Sequence, residues 1–182
     1  MSDLREKALK VSPANDMVTG GNLKKHDSRT LLRFSTEPAD PTNQQIEALG
    51  LAQVRRDLGV GLVQDNEVQM TVSLSNDLVL PDGTVLEAGY MFDARVDLIS
   101  VGPMNRGFRV HEVKTTLSGG SASYTDGQRI LYYALAQGHE VNAEITYGIS
   151  EKLQRHLDTY EGGSRMTTLS AGEIHRFHGR RP

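Results

Sequence analysis

Apolar and polar residues alternate without a break from Glu67 to Leu74. Val68, Met70, Val72 and Leu74 fall on one side, and Glu67, Gln69, Thr71 and Ser73 on the other, the pattern of a half-buried strand. "LPDGT" reads as a turn, and a second strand is expected from about Thr84 to Ser100, bent or bulged near Gly89. In "MFDARVDLI" the face made by Phe92, Ala94, Val96 and Leu98 opposes Asp93, Arg95 and Asp97. After the loop "GPMNRG" a third strand runs from Phe108 to Thr115, and "VNAEITYGIS" gives a fourth.

Helical spacing marks three segments. Thr42 or Asn43 can cap a helix over 42–58, whose Ile46, Leu49, Val54 and Leu58 share a face, with Gly59 as the stop. Gly50 in its middle is costly in a helix. Thr125 or Asp126 opens a second helix reaching Gln137, stopped by Gly138, and Ser150 caps "EKLQRHLDTY". Residues 1–40 show turn chemistry ("SPAND", "TGGN", "TEPADPTN") and read as a polar linker or loosely ordered arm; 41–182 read as the domain, with its core at about 42–150. The order is helix, three strands, helix, strand, helix. Hairpin-like antiparallel pairing is expected before the crossover helix and a parallel return after it. The basic tail "GEIHRFHGRRP" fits no element.

Composition narrows the chemistry. The chain has 182 residues, of which 37% are hydrophobic, with no Trp and no Cys. A modest single core is expected, and disulfides, thiolate zinc sites and a Cys nucleophile are excluded. No apolar run approaches membrane-spanning length, and the start "MSDLREKALK" is too polar for a secretory signal; a cytoplasmic location with no membrane association is expected. The chain could also be a fragment of a longer protein. The net charge of −3 does not describe a nucleic-acid coat, but the distribution is uneven. Seven acidic residues (Asp65, Glu67, Asp77, Asp82, Glu87, Asp93, Asp97) stand against Arg95 alone between Val60 and Ser100. From Glu151 to Pro182 six basic residues face four acidic ones.

"RVHEVKTT", Arg109–Thr116, places Glu112 and Lys114 two apart on a strand and so on one face. Alone, the pair reads as a solvated surface pair. Asp93 and Asp97 share a face of the preceding strand, and strands lie about 4.8 Å apart. Carboxylates from the two strands can therefore meet, as Mg²⁺ requires, with a lysine beside them to orient water or offset negative charge. His111 points away from Glu112 and reads as structural. His175 and His178 would suit metal only on a helix and lack a third ligand.

The arrangement resembles the PD-(D/E)XK, or restriction-endonuclease-like, nuclease superfamily. Asp97 matches the Asp of its second strand, "EVK" (Glu112, Val113, Lys114) its E-x-K, and "QRILY" (Gln128, Tyr132) the Gln-x-x-x-Tyr of exonuclease-like branches. The resemblance covers about 42–150; no Pro precedes Asp97 or Asp93. It implies an α+β (α/β) fold of order α-β-β-β-α-β, with a mixed central sheet of about four strands flanked by helices. It implies Mg²⁺ or Mn²⁺, rather than Zn²⁺, held by Asp97, Glu112 and the Val113 carbonyl, with Asp93 as the other candidate ligand. Lys114 would position the attacking water and Gln128 would steady lysine, water or phosphate. Tyr132, Arg129 and Arg176 are candidates for substrate contact, although Tyr132 reads more readily as core packing, and Gln128 reads equally as a helix surface residue. Arg180 and Arg181 could contact phosphate or belong to a frayed end. Glu47 is the available extra acid on the first helix, or a solvated residue.

The implied activity is metal-dependent hydrolysis of phosphodiester bonds in DNA or tRNA, leaving a 5′-phosphate. A small nuclease-like domain behind a polar arm is similar to C-terminal toxin modules of bacterial contact-dependent inhibition and related polymorphic toxin systems. That implies a cognate immunity protein and action in the cytoplasm of a target cell. A catalytically inactive nuclease-fold interaction module and a housekeeping repair or restriction-type nuclease remain as alternatives.

Overall fold

A computed structural model describes residues 21–31, 42–59, 66–81, 83–102, 107–116, 124–160 and 166–178. The fold is mixed α+β. Its elements in order are β1 (Leu23–Thr30), α1 (Asn43–Leu58), β2 (Asn66–Leu74), β3 (Leu78–Val79), β4 (Val85–Leu86), β5 (Met91–Val101), β6 (Phe108–Thr116), α2 (Asp126–Ala136), β7 (Val141–Tyr147), α3 (Glu151–Tyr160) and β8 (Met166–His178).

The strongest sequence patterns became the best-buried elements. Val68, Met70, Val72 and Leu74 of β2 are nearly inaccessible, as are Phe108 and Val110 of β6. Thr42 caps α1: its Oγ1 accepts from the Gln45 N–H while the Gln45 side chain accepts from the Thr42 N–H. Thr125 and Gln128 repeat this reciprocal cap at α2. Ser150 Oγ accepts from the Leu153 N–H at the start of α3, whose Leu153 and Leu157 point into the main core.

Gly50 turns out to be a contact. A Cβ there would sit 2.6 Å from Thr115 Cγ2 and 3.2 Å from Val113 Cγ1. Glycine lets α1 lie directly on β6, and the small cluster of Leu31, Ile46, Val54, Leu98 and Phe177 fills in around it.

The sheet corrects the expectation of about four strands. Six strands run in the order β1-β8-β6-β5-β2-β7, and β7 also pairs with β8. The path β8-β6-β5-β2-β7 therefore closes on itself. β2–β5, β5–β6, β2–β7 and β7–β8 are antiparallel; β6–β8 and β1–β8 are parallel. The strand after the crossover helix, β7, is thus not the parallel return; β8 is, one helix later. β8 is built from the tail that fitted no element, and β1 from the segment read as a loose arm. The expected 84–100 strand divides, with Val85–Leu86 pairing Leu78–Val79 in a small hairpin before β5 begins. Residues 1–20, the crossing 117–123, and Arg180 and Arg181 lie outside the described residues.

The β5–β6 ladder covers only Leu98–Val101 against Phe108–His111. Beyond it β5 continues on β2, and β6 continues on β8. The start of α2 fills the gap, with Gly127 so close to the Asp93 carbonyl and Ala94 that a side chain there would collide with backbone.

Candidate active site

Glu112 sits on the diverging part of β6 and is 2% exposed. Both oxygens of its carboxylate are engaged. Oε2 accepts from the Tyr132 hydroxyl at 2.7 Å and from Gln128 Nε2 at 3.3 Å, and Oε1 lies 3.1 Å from Lys114 Nζ. Gln128 Nε2 also donates to the Arg95 carbonyl at 2.7 Å, while its Oε1 closes the α2 cap. One glutamine therefore ties the helix start, the freed edge of β5 and the buried carboxylate together.

Asp97 completes the group from the other strand. Past His111 the backbone of β6 has no β5 ladder, and the Val113 N–H donates instead to Asp97 Oδ2 at 2.8 Å. The N–H and C=O of one strand residue project to the same edge, so the Val113 carbonyl faces this gap as well. Lys114 is held from above by Tyr124, whose ring centroid is 4.9 Å from Nζ; Tyr124 in turn stands edge-on to Tyr132.

The electrostatics are those of an underneutralised carboxylate pair. Burial, and then the neighbouring Asp97 charge, raise the Glu112 carboxyl to about 7, although Lys114 and the Tyr132 hydrogen bond pull it back. Burial and the Glu112 charge hold the Tyr132 phenol well above its ordinary range, so it stays a donor. Two carboxylates, a backbone carbonyl and one lysine leave a deficit of positive charge, and oxygen donors of this kind suit a hard divalent cation.

The structure thus brings together Asp97, Glu112, Val113, Lys114, Gln128 and Tyr132. It separates Asp93, whose exposed carboxylate accepts from the Thr71 hydroxyl at 3.1 Å, four residues and about 13 Å along β5. Of the two aspartates, Asp97 is the one beside Glu112. Asp93 instead borders an open cleft of about 490 Å³ with Gln69, Thr71, Arg95, Thr125 and Thr146. Arg176 pairs with Lys114 in the β6–β8 register and lies on the same face. Arg129 is half-buried and off the Gln128–Tyr132 stripe. Glu47 is exposed on α1, which covers the opposite face of β6, so it cannot join Glu112. Tyr124 escaped the sequence reading; its position just before the Thr125 cap was the available signal.

A second polar group lies on that opposite face. His111 is fully buried, as the alternation with Glu112 requires, and its Nε2 is 2.8 Å from Ser100 Oγ. Its Nδ1 lies 3.2 Å from His175 Nε2. Burial lowers His111 to about 4 and His175 to about 3. His175 and His178 are on a strand, so the helical spacing that would let the two share a metal is absent.

Among the described residues no helix is long and apolar enough to cross a membrane. Comparison with known proteins gives no match: no family model, no curated protein and no solved structure matches the chain.

Proposed function

We propose that the chain is a metal-dependent nuclease of restriction-endonuclease-like type, hydrolysing phosphodiester bonds in DNA or tRNA. The observation that carries this reading is the buried Glu112, bound to Lys114, Tyr132 and Gln128 and repelled by Asp97. A purely structural carboxylate gains nothing from a second carboxylate beside it. Asp97, Glu112 and the Val113 carbonyl would hold Mg²⁺ or Mn²⁺. Such an ion supplies charge for the phosphoryl oxygens and a more acidic bound water.

The chain's own residues do the rest. Tyr132 and Gln128 fix the Glu112 carboxylate by its Oε2, leaving Oε1 turned toward Lys114. The ammonium of Lys114, partly exposed and steadied by Tyr124, is placed to orient a water and to offset charge developing on phosphate. Arg176, one strand over on the same face, is placed for a flanking phosphate.

The test is cleavage of supercoiled plasmid and of total tRNA with Mg²⁺, Mn²⁺, Zn²⁺ or EDTA. Lys114→Ala and Glu112→Ala are expected to cut at least about 100-fold more slowly. Absence of metal-dependent cleavage, or unchanged cleavage by both variants, sinks the nuclease reading and leaves the inactive interaction module. The toxin setting, with its immunity protein, rests on the resemblance of the sequence. Growth arrest on expression, abolished by Glu112→Ala and relieved by a neighbouring gene product, separates it from a housekeeping nuclease.

A further inference from the structure

We infer that the open cleft beside the start of α2 is a base subsite, which takes an unpaired guanine of the nucleic acid; its placement next to the reacting phosphate rests on the nuclease reading above. The cleft holds about 490 Å³ and is lined by the side chains of Gln69, Thr71, Asp93, Arg95, Thr125 and Thr146. That volume lies within the range of about 300–1,000 Å³ usual for small organic ligands. Register assembles it: Gln69 pairs with Arg95 and Thr71 with Asp93 across β2 and β5, and Gln69 pairs with Tyr147 across β2 and β7. Directly opposed residues share a face, so an amide, a guanidinium, a carboxylate, a hydroxyl and a phenol ring meet on one outer surface. Asp97 is the next residue on that face of β5, about 7 Å beyond Arg95. Gln128 Nε2 reaches from the Arg95 carbonyl to the Glu112 carboxylate, so the cleft opens beside the two acids.

The charges on the lining select the ligand. The exposed carboxylate of Asp93 disfavours a phosphate in the cleft, and an ionised carboxylate only accepts hydrogen bonds. Its Oδ1 accepts from the Thr71 hydroxyl at 3.1 Å, which steadies the group and leaves most of its acceptor sites for a ligand. Two residues along, Arg95 only donates. Its Nη2 lies 2.7 Å from Glu67 Oε1 in a pair that is more than half exposed, and a guanidinium has five N–H groups to share. The cleft thus offers paired acceptors beside paired donors. Guanine carries the complement, with N1–H and the 2-amino group beside the O6 and N7 acceptors. Cytosine has an amino group without a ring N–H, uracil and thymine have the reverse, and adenine has no carbonyl oxygen. N1–H and the 2-amino group lie on the pairing edge, so the guanine has to be single-stranded or turned out of its helix. Tyr147, 64% exposed at the rim, supplies a ring face on which such a base stacks.

The experiment is equilibrium binding to the full chain, read by fluorescence anisotropy at low salt in EDTA, where metal-dependent cutting is blocked. The probes are short labelled oligouridine and oligothymidine strands with one central guanine, inosine, adenine or cytosine. The guanine strand of at least one host is expected to bind about tenfold more tightly than the other three. Inosine differs from guanine only in lacking the 2-amino group, so this comparison needs no protein variant. Asp93→Ala is expected to bind guanine and inosine strands equally. Tyr147→Leu is expected to weaken every strand about tenfold and keep their ranking. Circular dichroism checks that both variants fold. The inference is overturned if the wild type binds no strand or binds all four bases equally, or if Asp93→Ala keeps the preference. Guanine preference without cleavage by any metal upholds the subsite and sinks the nuclease reading. Metal-dependent cleavage without base preference in binding overturns the subsite alone.

Discussion

Glu112→Gln should make the protein more resistant to unfolding as pH rises, relative to wild type. The Glu112 carboxyl moves from 4.5 to about 7 on folding. Below pH 4.5 it is protonated in both states and contributes no difference. Between 4.5 and about 7 the unfolded chain loses this proton while the native state keeps it. Native stability then falls by about 1.4 kcal/mol per pH unit. Above about 7 both states are ionised and the slope ends. The total is about 3 kcal/mol, present at low pH and lost by pH 8. Glutamine cannot ionise, so it lacks this term. Its amide does turn an N–H toward Lys114 or Tyr132, at a cost of about 1–3 kcal/mol that does not depend on pH. That constant cancels when the variant-minus-wild-type difference is compared at two pH values. Urea unfolding in EDTA, followed by circular dichroism at pH 4.5 and pH 8, should show the difference shifting toward the variant by about 3 kcal/mol. A difference that stays flat within about 0.5 kcal/mol would refute the claim that Glu112 is held above its ordinary range by burial and Asp97.

Two further outcomes follow from the same contacts. Tyr132→Phe removes the shorter of the two hydrogen bonds to Glu112 Oε2 and should cost about 1.5–3 kcal/mol at pH 8 but less at pH 5, where the carboxyl is neutral; equal losses at both would show that only packing was affected. Gly50→Ala improves helix propensity yet drives a methyl into Thr115 and Val113, so urea unfolding should show a net loss of about 1–3 kcal/mol; a gain would mean α1 can lift from the sheet freely.

The elements legible in the sequence were those specified locally. β2, β6, α2 and α3 declared themselves by alternation, helical spacing and caps, and the E-x-K strand with its Gln-x-x-x-Tyr helix gave most of the candidate site. Asp93 and Asp97 could not be told apart because period-two spacing puts both on one face; the point where β5 leaves β6 decides between them, and that is a tertiary fact. Glu47 fell to the same cause, since its helix covers the other face. β1 and β8 were missed because "LKKHDSRT" and "GEIHRFH" carry charges and histidines where a buried strand is expected to be apolar. Those polar residues satisfy one another, His26 with Glu173 and Arg29 with His175, across 147 and 146 positions of sequence that no local pattern can span.

The placement of β8 also sets the order of events in making the protein. It is the last element described, yet it pairs with β1, β6 and β7 and closes the sheet. Among the described residues, a growing chain that has not yet released residue 166 holds β6 with one side unpaired and β1 with no partner strand. Closure of such long loops dominates the folding barrier and slows it. The strand that carries Glu112 and Lys114 would therefore gain its second neighbour only at the end, late in synthesis or after passage through any channel that admits only unfolded chain.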